Sequence, residues 1–347
     1  MLILKKINMS IFLPNIQRLR VLFLFFCMVS HVLCPGPAIS ESDVSSADLL
    51  KDVTIVVSSC DKYRALWPGF FHCLFRYWPQ LETQHTQTPI VLIAGKETFT
   101  HPRAQVFQTG EDKGWSQNLL DVLAKVKTRY VLYFQEDYFL CAPVREEKVF
   151  STLTLMNKNP KVVYCQFNED AVFGRPEHPH VSQVFCAREG LLQKALCARY
   201  RNSLQAALWR TDTLKSLLKA SETPWQFESE GNKRSVNMEK ETGATFLIFQ
   251  HPAPFVYLNA LRRGQLERVV VAWIRKEAVP FPKENPYPVR NTPYLRTLYE
   301  PHAVDVLRQA GCLEKQDLEN LQPKRKRRRF FHFLFDCFSK KSKISIR

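Results

Sequence analysis

An α/β fold, a mostly parallel sheet flanked by helices, is predicted for this 347-residue chain by three observations. From residue 53 to about 167, short apolar runs alternate with amphipathic stretches. Strand, helix, strand is the order that right-handed crossovers build into parallel sheets. The run at 130–134 ends in two adjacent carboxylates, Glu136 and Asp137. Ligand sites of open α/β sheets lie off the carboxyl ends of such strands. The alternative for that pair is a solvated acidic turn.

Residues 54–59 read as a strand and 66–78 as an amphipathic helix. Residues 90–94 read as the second strand, and 116–126 as a helix with apolar residues at 119, 120, 122, 123 and 126. The third strand is 130–134, followed by a helix near 146–156 and a strand at 162–167. Farther on, 203–209 reads as a strand and 211–220 as a helix that Thr211 or Asp212 caps. Short strands are expected at 246–250 and 255–258, a Pro-rich surface segment at 279–294, and a closing helix at 301–320.

The net charge of +16 is terminal. Residues 324–347 hold ten Lys or Arg against one Asp, and residues 1–35 hold four against no acid, which leaves +3 for 36–323. A nucleic-acid-binding surface would put basic residues along the fold itself, so no specific nucleic acid is expected as a partner. The ten cysteines form no Cys-x-x-Cys pair and no zinc-ligand spacing. They read mainly as reduced core residues, with a disulfide open to an extracytoplasmic body.

Residues 1–35 are expected to be a signal or anchor segment: an apolar run at 21–33 follows Arg18 and Arg20 and ends at Pro35. Residues 36–50 read as a linker and 51–322 as a single catalytic domain. Residues 323–347 form a polybasic, Phe-rich tail suited to an anionic membrane surface. A nuclear-import patch and a tail docked on the body are the competing readings. Membrane association is expected, with the side on which the body lies left open.

Four segments carry candidate chemistry. After the first strand come Asp61, Lys62 and Arg64, suited to a nucleotide and its phosphates; Asp61 also suits a helix cap. The stretch 111–118 brings Gly114, Trp115 and Asn118 to a helix start, where Asn118 either points to the same edge or simply begins the helix. The stretch 203–210 contains Trp209, and 224–228 joins Trp225 and Phe227 to Glu228. Aromatic faces stack on sugar rings, and partial burial raises a carboxyl toward general-base range. An amphipathic helix with Trp225 in the core and Glu228 exposed is the alternative.

Together, Val-Val-Ser-Ser-Cys-Asp-Lys-Tyr, Gly-Trp-Ser-x-Asn, Tyr-Val-Leu-Tyr-Phe-Gln-Glu-Asp-Tyr-Phe, Ser-Leu-Gln-Ala-Ala-Leu-Trp and Pro-Trp-Gln-Phe-Glu resemble nucleotide-sugar-dependent glycosyltransferases of the GT-A type, over about residues 53–275. The resemblance implies a GT-A-like, Rossmann-related sheet and a nucleoside-diphosphate sugar donor held with Mn²⁺ or Mg²⁺. It implies Asp137 as metal ligand with Glu136 beside it, Asp61, Lys62 and Arg64 at the nucleotide, Asn118 at the donor, and Glu228 as catalytic base of an inverting transfer. Trp115, Trp209 and Trp225 would contact substrate, and the acceptor would be a hydroxyl of a glycan, lipid or protein. Gln135 stands where the first Asp of the usual Asp-x-Asp would be. Either Asp137 and the donor phosphates hold the metal, or basic residues such as Lys62 and Arg64 stabilise the leaving diphosphate without it. Two other classes fit: a degenerate, non-catalytic membrane-surface protein that binds glycan or nucleotide, and a metal-dependent nuclease using Glu136 and Asp137.

Overall fold

Six consecutive buried residues, Val53–Ser58, make β1, the strand from which the main sheet extends both ways. The computed structural model describes residues 46–83, 87–168, 180–290, 301–314 and 317. On one side of β1 lie β2 (Ile90–Ala94) and β3 (Gln105–Gln108), on the other β4 (Tyr130–Gln135), all parallel. The helices α2 (Trp67–Tyr77) and α3 (Trp115–Leu123) are the crossovers between them. This half matches the expected βαβ pattern, and its apolar runs are continuous because both sheet faces are covered. Leu132 and Phe134 face the larger core with Phe70 and Phe71 of α2, while Val131 and Tyr133 face the other with Leu119 and Leu123 of α3.

Beyond β4 the sheet becomes mixed. Ala207–Arg210 (β9) runs antiparallel between β4 and β6 (Val162–Gln166). β10 (Thr245–Phe249) returns parallel to β6, and β8 (Leu191–Lys194) and β7 (Val181–Cys186) close that edge antiparallel. The nine strands stand in the order β3-β2-β1-β4-β9-β6-β10-β8-β7. The strand expected at 203–209 is thus shorter: residues 203–206 form a loop instead, because their polar groups bond to neighbouring elements rather than to a ladder.

Several elements were not expected. β5 (Tyr138–Leu140) pairs antiparallel with β11 (Tyr257–Asn259), so the strand expected at 255–258 starts two residues later. β12 (Leu261–Arg262), β13 (Gln265–Glu267) and β14 (Val289–Arg290) form a small separate sheet. The helices α4 (Glu146–Lys158) and α5 (Thr211–Leu217) are where the sequence places them, but α5 ends three residues early and Arg210, not Thr211 or Asp212, stands at its N-cap, with no side-chain cap bond. α6 (Pro224–Thr242) extends the helix that was the alternative reading of 224–228, α7 (Arg268–Lys276) is additional, and α8 (Pro301–Gln309) covers the first half of the closing helix. Ser46–Lys51 (α1) is helical where a linker was expected, because Leu50 is buried in the core. The apolar run at 21–33 and the basic tail lie outside the described residues. Among the described residues no helix is long and apolar enough to cross a membrane.

Candidate active site

Ser58 stands beside Gln135 in the parallel register of β1 and β4. The loops leaving these two strands therefore open on one edge of the sheet. After β1 come Ser59, Cys60 and a 3-10 turn at Asp61–Leu66; after β4 come Glu136 and Asp137. The two segments interact electrostatically. Burial and then the Glu136 charge raise the pKa values of Cys60 and Tyr63, and Asp137 adds to the effect on Tyr63.

Glu136 is 7% exposed. Burial, then the neighbouring Asp137 charge, push its carboxyl well above the ordinary carboxylate range. Burial also raises Asp137, against the backbone N–H groups of Asp137 itself and Leu261. Asp137 Oδ1 is buried and accepts no hydrogen bond. A buried carboxylate oxygen without a donor costs free energy until a cation or donor arrives.

Glu228 approaches from α6. That helix starts with a reciprocal capping box: Thr223 Oγ1 accepts from the Gln226 N–H, and the Gln226 side chain accepts from the Thr223 N–H. Pro224 occupies the first turn, and Gly243 ends the helix in the left-handed region at φ 72°. Such a cap contributes about 1 kcal/mol. Glu228 Oε1 accepts from the Leu204 N–H at 2.9 Å and from Ser203 Oγ at 3.2 Å. Burial raises its pKa, and those two donors and Lys194 partly offset the rise.

The loop that holds Glu228 is itself held. Tyr138 Oη donates to the Leu204 carbonyl at 3.1 Å, and Tyr164 Oη to the Ser203 carbonyl at 3.1 Å. Asn202 Nδ2 donates to the Phe227 carbonyl at 2.9 Å. Gly231 permits that approach, since a Cβ there would stand 2.6 Å from Asn202 Nδ2. Tyr257 stacks on Tyr138 with ring centroids 4.7 Å apart and donates to the Gln205 carboxamide. Tyr138 directly follows Asp137 and also lies within reach of the Glu228 charge. The β4 tip and α6 are therefore joined through one side chain and one loop.

The other expected site residues divide. Asp61 accepts from the backbone N–H groups of Gly95 at 2.7 Å, Lys96 at 2.8 Å and Glu97 at 3.3 Å. Burial acts to raise its pKa, but these donors and Arg64 bring it below the ordinary value. Its carboxylate thus fastens the loop after β2 to the loop after β1. Arg64 is exposed and ion-paired with Glu97. Lys62 is exposed, with Nζ 5.6 Å from the centre of the Tyr63 ring. Asn118 Nδ2 donates to Asp112 Oδ1 at 2.9 Å, and that oxygen also takes the Gly114 N–H, so Asn118 secures the entry to α3.

The three tryptophans occupy different environments. Trp115 is half-buried and donates to Ser58 Oγ at 3.1 Å, at the end of β1. Trp225 is 73% exposed, one helical turn before Glu228, and not in the core. Trp209 was expected at the substrate and is instead a core residue. It lies on a central strand covered on both faces, with its ring 4.3 Å from Tyr164, beyond the reach of a ligand. Sequence reasoning marked the stretch 203–210 and the 129–140 run but gave no role to Ser203, Leu204, Tyr138 or Tyr257. Only the Thr-Pro-x-Gln helix start carried a readable signal for this part of the site.

A divalent cation fits the tip of β4. Among the described residues no three His, Cys, Asp or Glu side chains gather as a complete metal cage. Two adjacent carboxylates, one with an unpartnered buried oxygen, suit a hard cation that completes its shell with water and substrate phosphates. Among the described residues no disulfide is formed, in line with the reading of the cysteines as mainly reduced.

Neither a protein-family model nor a curated protein sequence matches the chain. Solved structures overlap it in part. Staphylococcus aureus TarS 1–349 is 11% identical, with 58% of this chain and 59% of that one covered at a TM-score of 0.39. This chain thus spans under two thirds of the TarS fragment's length. Mannosyltransferase PcManGT from Pyrobaculum calidifontis, in complex with GDP-Man and Mn²⁺, is 13% identical, with 78% of each chain covered at 0.39. A cytidylyltransferase from Leptospira borgpetersenii is 10% identical, with 80% of this chain and 99% of that one covered at 0.38. The functional reading rests on the site geometry.

Proposed function

We infer that the protein is a glycosyltransferase that moves a sugar from a nucleoside-diphosphate sugar to a hydroxyl of a glycan, lipid or protein, with inversion. One observation carries the reading: Tyr138 follows Asp137 and bonds to Leu204, whose N–H clamps Glu228. A donor-side carboxylate and a candidate base thereby flank one residue.

Glu136 and Asp137 would hold Mn²⁺ or Mg²⁺ together with the donor diphosphate. The bound cation would act there as a Lewis acid on the leaving group. Glu228 keeps Oε2 for the acceptor while Oε1 is held by Ser203 and Leu204. Its raised pKa brings it nearer the working range of a general base. It takes the proton of the acceptor hydroxyl as that oxygen attacks the anomeric carbon on the face opposite the diphosphate. Trp225, exposed one turn earlier on the same helix, offers its ring to the acceptor. The apolar run at 21–33 and the tail at 324–347 support contact with an anionic membrane surface.

The test is a screen of nucleotide-sugar hydrolysis by the full chain, with and without Mn²⁺. Release of diphosphate from one donor, lost in Asp137→Ala, is the expected outcome; no turnover of any donor contradicts it. The second reading, a non-catalytic nucleotide- or glycan-binding protein, is favoured by Gln135 and by the engagement of Asp61 and Asn118 with loop backbone and Asp112. It predicts donor binding without turnover.

A further inference from the structure

Lys194 ends β8 and is 2% exposed. Its Nζ donates to Gln166 Oε1 at 2.6 Å, to the Tyr200 carbonyl at 3.1 Å and to the Arg201 carbonyl at 3.1 Å. Three acceptors use the three protons of an ammonium, where a neutral amine has two. The bonding is reciprocal, since Arg201 Nη1 donates to the Lys194 carbonyl at 2.6 Å. A buried ammonium is costly unless its protons are bonded, and two of these bonds go to the backbone of one loop.

That loop is the one that grips Glu228. Tyr200 stands in the left-handed region at φ 54°, a conformation that costs a non-glycine residue free energy. Its carbonyl also accepts from the Ser203 N–H at 3.1 Å, which closes a turn over 200–203. Ser203 Oγ and the Leu204 N–H then meet Glu228 Oε1. A second route runs through side chains. Tyr164 Oη divides its proton between Gln166 Oε1, at 3.3 Å, and the Ser203 carbonyl, at 3.1 Å. Lys194 Nζ bonds that same Gln166 oxygen and lies 5.0 Å from the centre of the Tyr164 ring.

We propose that Lys194 is a positioning residue for Glu228: its ammonium fixes the turn at 200–203 that presents Ser203 and Leu204 to that carboxylate, which is thereby held in place and in its charged form for the acceptor proton. This rests on the glycosyltransferase reading and adds a residue that acts through Glu228 rather than on substrate. The electrostatics agree. Burial raises the pKa of Glu228, and the Leu204 N–H, then Ser203, then the Lys194 charge lower it. All three opposing influences come from Lys194 or from the loop it holds. Tyr138 of β5 and Tyr164 of β6 also feel the Glu228 charge, but burial first of all pushes both well above their ordinary value, so neither titrates with a carboxyl. The Arg201 guanidinium is paired with Glu239 of α6.

The experiment measures transfer by the full chain against pH, with donor affinity by calorimetry, in wild type, Lys194→Met and Lys194→Arg. Lys194→Met is expected to lower kcat about tenfold or more and to leave donor affinity within about twofold. It should also move the acid limb of the kcat–pH profile to higher pH, by about one pH unit, because the loss of a positive charge makes Glu228 harder to ionise. Lys194→Arg keeps the charge and should return the limb toward its wild-type position. A merely structural role would lower kcat and donor affinity together and leave the limb in place, and that result overturns the proposal, as does a wild-type profile in Lys194→Met. If Lys194→Met melts early, Gln166→Glu makes the same comparison. A carboxylate against Nζ keeps the bond and cancels the charge, so the limb should again move to higher pH, and an unmoved limb overturns the proposal. Turnover by wild type with an unmoved limb in the variants removes the Lys194 assignment alone. No turnover of any donor by wild type overturns the glycosyltransferase reading, and this assignment with it.

Discussion

The two sides of the candidate site are finished to different degrees. Around Glu228 the carboxylate itself is held: Ser203 Oγ and the Leu204 N–H bond one of its oxygens, and Tyr138 and Tyr164 bond the Leu204 and Ser203 carbonyls, with the buried Asn202 Oδ1 left without a partner nearby. At the tip of β4 the hydrogen bonding is incomplete: Asp137 Oδ1 is buried with no donor, and Glu136 is pressed against the same charge. The α6 side is organised by the fold alone. The β4 side keeps a buried carboxylate oxygen without a partner. A buried polar atom without a partner calls for an explanation, and a bound ion or water is one.

That contrast sets the order of expected effects. Asp137→Ala should abolish transfer, a loss of at least about 10³-fold in kcat/KM, because the donor side has no substitute for it. A radiolabel transfer assay reads this. Glu228→Gln should cost about 10²–10⁴-fold in kcat while donor affinity stays within about twofold, since only the proton acceptor changes. Wild-type turnover by that variant would remove Glu228 from the mechanism. Trp225→Ala should raise acceptor KM by about tenfold with no change in Tm, because the ring is 73% exposed and contributes little to packing. A shift in Tm alone would assign it to the fold.

The smallest effect concerns pH. Glu136 and Asp137 have folded pKa values raised above their ordinary values of 4.5 and 3.8. Their protonated forms therefore contribute stability that is complete below the ordinary values and is lost as pH rises through the folded ones. Without divalent cation, wild-type Tm should fall from pH 5 to pH 8 by a few degrees more than that of Glu136→Gln. Added Mn²⁺ should raise wild-type Tm more at pH 8 than at pH 5, because the cation needs the ionised carboxylates. Parallel melting curves for the two proteins at every pH would count against a strained carboxylate pair.

The same division runs through what the sequence discloses. β1, β2, β4 and β6 are legible because each is a continuous apolar run buried on both faces. The antiparallel direction of β9 is not, since a four-residue run does not encode its direction. Only the start of α6 was legible, as the alternative reading of 224–228, because the helix is mostly polar: Phe227 is its one large buried side chain, with Gly231 and Ser235 completing the packed face. Its Thr-Pro-x-Gln start and Gly243 end were there to be read. Asp137 is legible from its place after a strand. The partners of Asp61 are not, because they lie 34 to 36 residues away on another loop. Trp209 and Trp225 look alike as aromatic neighbours of polar residues, and only tertiary packing separates a core ring from an exposed one.

The central claim is that the tip of β4 and the start of α6 face one nucleotide-sugar cleft. It is tested most directly by calorimetry of the full chain against a panel of nucleoside-diphosphate sugars with Mn²⁺, in wild type and in Asp137→Ala. Wild type is expected to bind at least one donor, and Asp137→Ala to lose that binding. Absence of binding by every donor, or equal binding by both proteins, would contradict it.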